Sequence, residues 1–100
     1  MAETQSNVRE KTNIRLQEPK RYNVMLHNDD FTTMEFVVML LATVFRKNEA
    51  EAETLMMKVH KEGKAIAGTY SYDIACTKQK QGTDLARTNG FPLVLTVEQA

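Results

Sequence analysis

The segment Asn28-Asp29-Asp30 and the distant His60 are the side chains best suited to chemistry in this sequence. An amide oxygen, two carboxylates and an imidazole could bind a cation, activate water or hold a metal ion. A metal site would need further His or Cys ligands, and a hydrolytic site would need a nucleophile beside its base. Neither pattern occurs in the sequence. Asn-Asp-Asp is also an ordinary turn composition, and a lone histidine is most often a surface or core residue.

The elements on either side must place this turn. Apolar residues at every second position of residues 22–27 predict a strand that ends at the turn. Thr32 and Glu35 have the spacing of a capping box, in which each side chain binds a backbone N–H of the first helical turn. We therefore expect a helix over residues 34–46. Because it is apolar on nearly all sides, several neighbours bury it or one face is used for contact.

A second amphipathic helix carries His60. Asn48 has the character of its N-cap and Gly63 that of its C-cap. The apolar residues between them recur at helical spacing and share one face: Ala52, Leu55, Met56 and Val59. His60 follows Met56 by one turn, which predicts that the imidazole lies beside this apolar face.

The remaining chain predicts a strand, a helix and a strand. Residues 65–70 are short, apolar and favourable for β structure, and residues 72–88 form the third predicted helix. Pro92 fits the start of an edge strand, and residues 93–97 follow as the last strand.

The predicted order is β-α-α-β-α-β. The fold class that buries this pattern most simply is α/β, as an α+β two-layer arrangement in which three helices cover one face of a small antiparallel three-stranded sheet. Residues 1–19 are polar and lack a period, so we expect a flexible N-terminal arm before a core domain over residues 20–100.

The composition favours one small domain whose partner is a protein or peptide. One hundred residues with a formal net charge of zero provide no field that would recruit nucleic acid or an anionic membrane. Cys76 is the only cysteine, so an internal disulfide is excluded and a reducing compartment is favoured. The start of the chain lacks a signal-peptide core, and the apolar run of residues 36–45 is too short to span a bilayer. We expect a cytoplasmic monomer without metal or cofactor.

Four segments occur together in one order: Asn28-Asp-Asp-Phe-Thr-Thr-Met-Glu-Phe-Val37, Met56-x-x-Val-His60, Gly63-Lys-Ala-Ile-Ala-Gly68 and Asn89-Gly-Phe-Pro-Leu93. In this combination the chain resembles the ClpS family. The resemblance implies a non-catalytic adaptor that binds the free α-amino group and the bulky first residue of a substrate, namely Phe, Tyr, Trp or Leu. It also implies docking on the N-terminal domain of a ClpA- or ClpC-type AAA+ unfoldase, into which the arm would extend.

The resemblance assigns roles to individual residues. The residues implied at the ammonium group of the peptide are Asn28, Asp29, Asp30 and His60. Those implied around the first side chain are Thr32, Met34, Val37, Met56, Val59 and Leu93. Those implied in unfoldase docking are Asp73 and Lys78. Met34 would exclude β-branched first residues, and His60 must be neutral to accept a hydrogen bond from the ammonium.

Two positions depart from the family pattern. Thr33 stands where proline is frequent, and residues 79–82 are more polar than expected. Gly82 also weakens its helix by roughly 1 kcal/mol relative to alanine.

Other functions stay open at the level of sequence. The chain could be a ClpS-like docking module that regulates the unfoldase without binding peptides, or a ribosomal-stalk-like binding module. An enzyme using His60 is a more distant alternative. A requirement for a free amine separates the peptide adaptor from the docking modules.

Overall fold

The computed structural model describes residues 19–100, so the arm predicted over residues 1–19 falls almost entirely outside the described residues. Six elements follow one another in the predicted order. They are β1 (Tyr22–His27), α1 (Met34–Thr43), α2 (Glu49–Glu62), β2 (Lys64–Tyr70), α3 (Tyr72–Thr88) and β3 (Val94–Gln99).

β1 is the central strand of an antiparallel sheet with the order β2-β1-β3. Val24 and Leu26, at 0% and 1% exposure, lie on the face that packs into the core with the helices. The other face is more polar, and a hydrogen bond there joins His27 Nε2 and Thr96 Oγ1 at 2.8 Å. The predicted three-stranded antiparallel sheet with three helices is confirmed.

α2 has both of its predicted caps. The Asn48 side chain accepts a hydrogen bond from Glu51 N (2.8 Å), and Glu51 Oε1 accepts one from Asn48 N (3.1 Å). At the other end Gly63 has φ 88°, a left-handed conformation that glycine adopts without strain. Its N–H donates to Val59 O at 2.9 Å. Gly63 therefore ends α2 and turns the chain directly into β2.

The N-cap of α1 lies one residue after the predicted cap. Thr33 is the N-cap, since its Oγ1 accepts a hydrogen bond from Phe36 N at 3.2 Å. The predicted capping box of Thr32 and Glu35 is therefore wrong. Thr32 is unavailable as a cap because its hydroxyl and its N–H both donate to Asp29.

α1 also ends at Thr43, earlier than the predicted residue 46. Arg46 has φ 58°, outside the helical region, as the chain turns toward α2. Lys78 Nζ, from α3, donates to the carbonyl oxygen of Val44 at 2.7 Å. This bond satisfies a carbonyl that the end of the helix leaves without an intrahelical partner.

α3 approaches the sheet closely at a glycine. Gly82 is buried, and a Cβ atom there would lie 2.5 Å from Leu95 Cδ2 of β3. Glycine lowers the helix propensity of α3, but it makes the close contact with Leu95 possible. Residues 79–82 are more polar than the family pattern, and one of them, Gly82, allows α3 to pack closely against β3.

Candidate functional site

A backbone hydrogen bond joins the end of β1 to the end of α2. Asn28 N donates to Gly63 O at 2.8 Å. Asn28 directly follows β1, Gly63 directly follows α2, and His60 lies in the last turn of α2. The bond therefore holds the Asn28-Asp29-Asp30 segment at the same end of the domain as the imidazole.

Asp29 organises the loop between β1 and α1. Its Oδ1 accepts hydrogen bonds from Phe31 N (2.8 Å) and Thr32 N (2.7 Å), and its Oδ2 accepts one from Thr32 Oγ1 (2.7 Å). Burial alone would raise the pKa of Asp29, but these hydrogen bonds and the positive charge of Arg87 together lower that pKa below its usual value. Asp29 is ionised near neutral pH and uses both oxygens to shape the loop.

A cavity of about 400 Å³ opens between this loop, the start of α1 and the last turns of α2. The residues that line it are Asn28, Asp29, Asp30, Phe31, Thr32, Thr33, Met34, Val37, Met56, Val59 and His60. Val37 and Val59, at 6% and 3% exposure, are its buried apolar residues. Met34 is 40% exposed and Met56 is half-buried. The cavity therefore has an apolar wall that includes two flexible thioethers.

The polar part of the lining consists of acceptors and negative charge. Asn28, Asp30 and His60 are all exposed. An amide oxygen and a neutral imidazole nitrogen accept hydrogen bonds, and the Asp30 carboxylate adds charge to that of Asp29. A cationic group with several N–H donors suits this end of the cavity, especially one joined through a short link to an apolar group.

The family model described as "ATP-dependent Clp protease adaptor protein ClpS" matches residues 17–96. The chain belongs to the ClpS family. A protein of Treponema denticola named ATP-dependent Clp protease adapter protein ClpS is 55% identical over 82 residues, which are 82% of this chain and 81% of the relative. A protein of the same name from Neisseria meningitidis is 51% identical over 88 residues, which are 88% of this chain and 85% of the relative.

A solved ClpS structure has the same fold. It is the structure of Agrobacterium tumefaciens ClpS2 bound to L-phenylalaninamide, with 46% sequence identity and a TM-score of 0.80. The match covers 83% of this chain and 100% of that one. The order of elements predicted from the sequence is therefore the fold of a ClpS protein.

The cavity brings together all the residues that the ClpS resemblance assigned to the ammonium group: Asn28, Asp29, Asp30 and His60. It also includes the residues assigned to the first side chain, except Leu93: Thr32, Met34, Val37, Met56 and Val59. Leu93 is not among the residues that line the cavity; it is 1% exposed and packs in the core. Its place at the first side chain stays a prediction.

Phe31 and Thr33 line the cavity, although sequence reasoning gave neither of them a role. Phe31 is 76% exposed, which is unusual for so large an apolar side chain. An aromatic residue inside an otherwise polar turn was the available signal. Nothing in the sequence singled out Thr33 as a cavity residue. It lines the cavity as the N-cap of α1.

The two residues assigned to unfoldase docking have different surroundings. Asp73 is exposed in the first turn of α3. Lys78 is half-buried, and its ammonium donates to Val44 O. Five residues along a helix correspond to a rotation of roughly 140°, so the two side chains leave α3 in different directions. Lys78 therefore has a structural contact that Asp73 lacks.

Within residues 19–100, no group of three or more His, Cys, Asp or Glu side chains is arranged to hold a metal ion. Over the same stretch, no helix is both long enough and apolar enough to cross a membrane.

Proposed function

We propose that this ClpS-family chain is a non-catalytic adaptor that binds the free α-amino group and the bulky hydrophobic first side chain of a substrate. It then delivers that substrate to a Clp AAA+ unfoldase and its protease. The observation that carries the proposal is the polarity of one cavity, which has exposed acceptors at Asn28, Asp30 and His60 and buried apolar residues at Val37 and Val59.

The first residue of a peptide has the chemistry that this cavity suits. Its α-amino group is an ammonium with three N–H donors near neutral pH. Its side chain is attached to Cα, the atom to which that nitrogen is bonded. Asn28 Oδ1 and a neutral His60 nitrogen accept from the ammonium, while Asp30 supplies opposite charge. Asp29 contributes through the shape of the loop and through its own negative charge. An acetylated N-terminus lacks both the charge and two of the donors.

The apolar wall accepts large side chains of different shapes. Met34 and Met56 are unbranched thioethers that adapt to leucine and contact aromatic rings favourably. Burial of one large side chain contributes about 1.5–3 kcal/mol, and each hydrogen bond to a charged group contributes about the same. With two or three such bonds the sum is roughly 4.5–12 kcal/mol before ordering costs, and those costs make the net affinity weaker.

The ligand of the solved relative supports the proposal. L-Phenylalaninamide, bound to Agrobacterium tumefaciens ClpS2, has a free α-amine, a benzyl side chain and an amide in place of a carboxylate. These are the groups that the first residue of a Phe-initiated protein presents. The family description as a Clp protease adaptor supports delivery to an unfoldase of the ClpA or ClpC type, where we assign docking to the surface around Asp73.

Fluorescence anisotropy with short labelled peptides tests the proposal. Peptides that begin with Phe or Leu should bind saturably, whereas peptides that begin with Val or N-acetyl-Phe should not. Binding of N-acetyl-Phe as tightly as free Phe would contradict an ammonium site. If no peptide binds while the chain still docks on the unfoldase N-terminal domain, the function is that of a docking module alone.

The role of His60 has its own test in a variant. The imidazole nitrogen accepts a hydrogen bond from the ammonium in the proposed complex, so His60→Ala should bind a Phe-initiated peptide about tenfold more weakly at pH 7. His27→Ala is the matched control, because His27 lies on the opposite face of the sheet beside Thr96. Equal affinity of His60→Ala and the wild-type chain would rule out the role.

A further inference from the structure

A second cleft adjoins the proposed binding cavity. It has a volume of about 610 Å³ and is lined by Phe31, Arg87, Gly90, Phe91 and Pro92. Phe31 belongs to the lining of both cavities and is 76% exposed. The two cavities are therefore neighbours that share one aromatic side chain.

Hydrogen bonds hold both walls of this cleft in place. On one side Phe31 N donates to Asp29 Oδ1 at 2.8 Å. On the other side Arg87 Nη1 donates to the carbonyl oxygens of Phe91 (2.9 Å) and Leu93 (2.8 Å). The Phe91 ring also packs against Phe36 with 4.8 Å between the ring centroids. The backbone at Phe31 and the ring of Phe91 are thus held in place before any ligand arrives, which reduces the entropy cost of binding.

The geometry of an extended peptide directs its second side chain away from the first cavity. Successive side chains of an extended chain point to opposite sides, and adjacent Cα atoms are about 3.8 Å apart. When the first side chain lies between Met34 and Val59, the second must leave over the rim. Phe31 forms part of that rim and leads into the second cleft.

We propose that the cleft around Phe31, Phe91 and Pro92 is a second subsite, which binds an apolar side chain at position two of the peptide. This inference rests on the proposed function, since the first residue must already be bound.

Another apolar cleft also adjoins the first cavity through Met34 and Met56. It is lined by these two methionines together with Glu35, Val38, Glu53 and Met57. Its apolar walls include three flexible methionines, and two carboxylates lie among them. The cleft beside Phe31, in which the Phe91 ring is held against Phe36, is therefore the better match for one apolar side chain, and Val38→Ala reports on the alternative.

The test compares peptides that begin Phe-Leu and Phe-Gly by fluorescence anisotropy on the full chain. Burying roughly half of a leucine side chain should make the Phe-Leu peptide bind about fivefold more tightly. Phe31→Ala and Pro92→Ala should each bring the ratio of the two dissociation constants to within about twofold of one. Tyr72→Ala should keep the wild-type ratio, because Tyr72 is also an exposed aromatic residue but lines neither cavity.

The outcomes separate this inference from the function on which it rests. Equal affinity of the wild-type chain for both peptides overturns the second subsite and leaves the first intact. A fivefold ratio that survives in Phe31→Ala but disappears in Val38→Ala also overturns it, since position two then lies in the other cleft. If neither peptide binds, the proposed function fails and the subsite fails with it.

Discussion

Asp29 uses its carboxylate to hold together the loop between β1 and α1, which lines the proposed peptide cavity. Three donors from Phe31 and Thr32 surround its two oxygens, and they approach at 2.7–2.8 Å. Replacing it with alanine leaves these donors without their acceptor. At pH 7, Asp29→Ala should therefore destabilise the domain by roughly 1–2 kcal/mol, as measured by urea unfolding.

The pH dependence of this loss has a definite sign. The pKa of Asp29 in the folded chain is lowered below 3.8, so the ionised carboxylate contributes fully above the pKa of the unfolded chain. That contribution disappears as the pH falls through the lower, folded-state pKa. The stability difference between wild type and Asp29→Ala should be constant from about pH 7 to 5 and shrink below about pH 4. Asp84→Ala is the control, because its exposed pair with Lys80 contributes little at any pH. A difference that grows at low pH would contradict the assignment.

Met34 lies at the rim of the first cavity, where it would contact the part of a side chain nearest the peptide backbone. β-Branched residues are bulkiest at that point, so we expect Met34 to exclude them by steric overlap. Met34→Ala should improve binding of Val- and Ile-initiated peptides by about tenfold. Met39→Ala is a matched control, since Met39 is 38% exposed on the same helix but does not line the cavity. Unchanged exclusion of both β-branched residues in Met34→Ala would refute this gate.

The ClpS resemblance assigned residues to the cavity, and the simple local structure of their segments explains why they lie together. Asn28, Asp29 and Asp30 follow a strand, and Met56, Val59 and His60 share neighbouring positions on one helix. The predicted cap of α1 was wrong because two neighbouring residues of the same type compete for one role. Thr32 and Thr33 can both cap a helix, and the choice depends on the bonds that Thr32 makes to Asp29.

At the scale of elements, α3 and β3 show what the sequence alone could not decide. A glycine within a helix predicts instability, and only the contact with Leu95 shows why glycine is present. The ClpS resemblance assigned Leu93 to the pocket, and the chain leading into β3 places it in the core at 1% exposure. In both cases the outcome depends on how closely a helix and a strand from distant parts of the chain approach each other.

Gly82→Ala sets two opposing effects against each other. Alanine improves the helix propensity of α3 by roughly 1 kcal/mol, but its Cβ would lie 2.5 Å from Leu95 Cδ2, and overpacking costs about 1–3 kcal/mol. Because Leu95 is only 4% exposed, it has little space to move. We expect a net destabilisation of about 1 kcal/mol in urea unfolding.

A double-mutant cycle identifies the cause of that effect. In a Leu95→Ala background the clash is absent, so the change from glycine to alanine should become stabilising. If Gly82→Ala costs the same in both backgrounds, contact with Leu95 is not the reason for the glycine. Stabilisation by Gly82→Ala in the wild-type background would mean that Leu95 moves aside at little cost.

For the molecule as a whole, β1 separates the two proposed interaction sites. The peptide cavity begins at Asn28, directly after the last residue of the strand. At the other end Tyr22 packs edge-on against Tyr72 at 5.0 Å between centroids, next to Asp73. Six residues of strand span roughly 20 Å, so a bound peptide and the Asp73 surface need not compete for space. The chain before residue 20 joins the domain at the same end as Asp73.

This arrangement predicts that peptide binding and delivery can be separated. All the residues of the proposed cavity lie between positions 28 and 60, so a chain that begins at residue 20 should bind a Phe-initiated peptide with unchanged affinity. It should also dock on the unfoldase N-terminal domain through the Asp73 surface.

If the predicted arm over residues 1–19 assists transfer, the truncated chain should fail to promote degradation of a Phe-initiated reporter by the unfoldase and its protease. It should also inhibit the full-length adaptor, because it competes for the same docking site without completing delivery. Full degradation with the truncated chain would remove the arm from the mechanism. Weakened peptide binding would instead place part of the peptide site in residues 1–19.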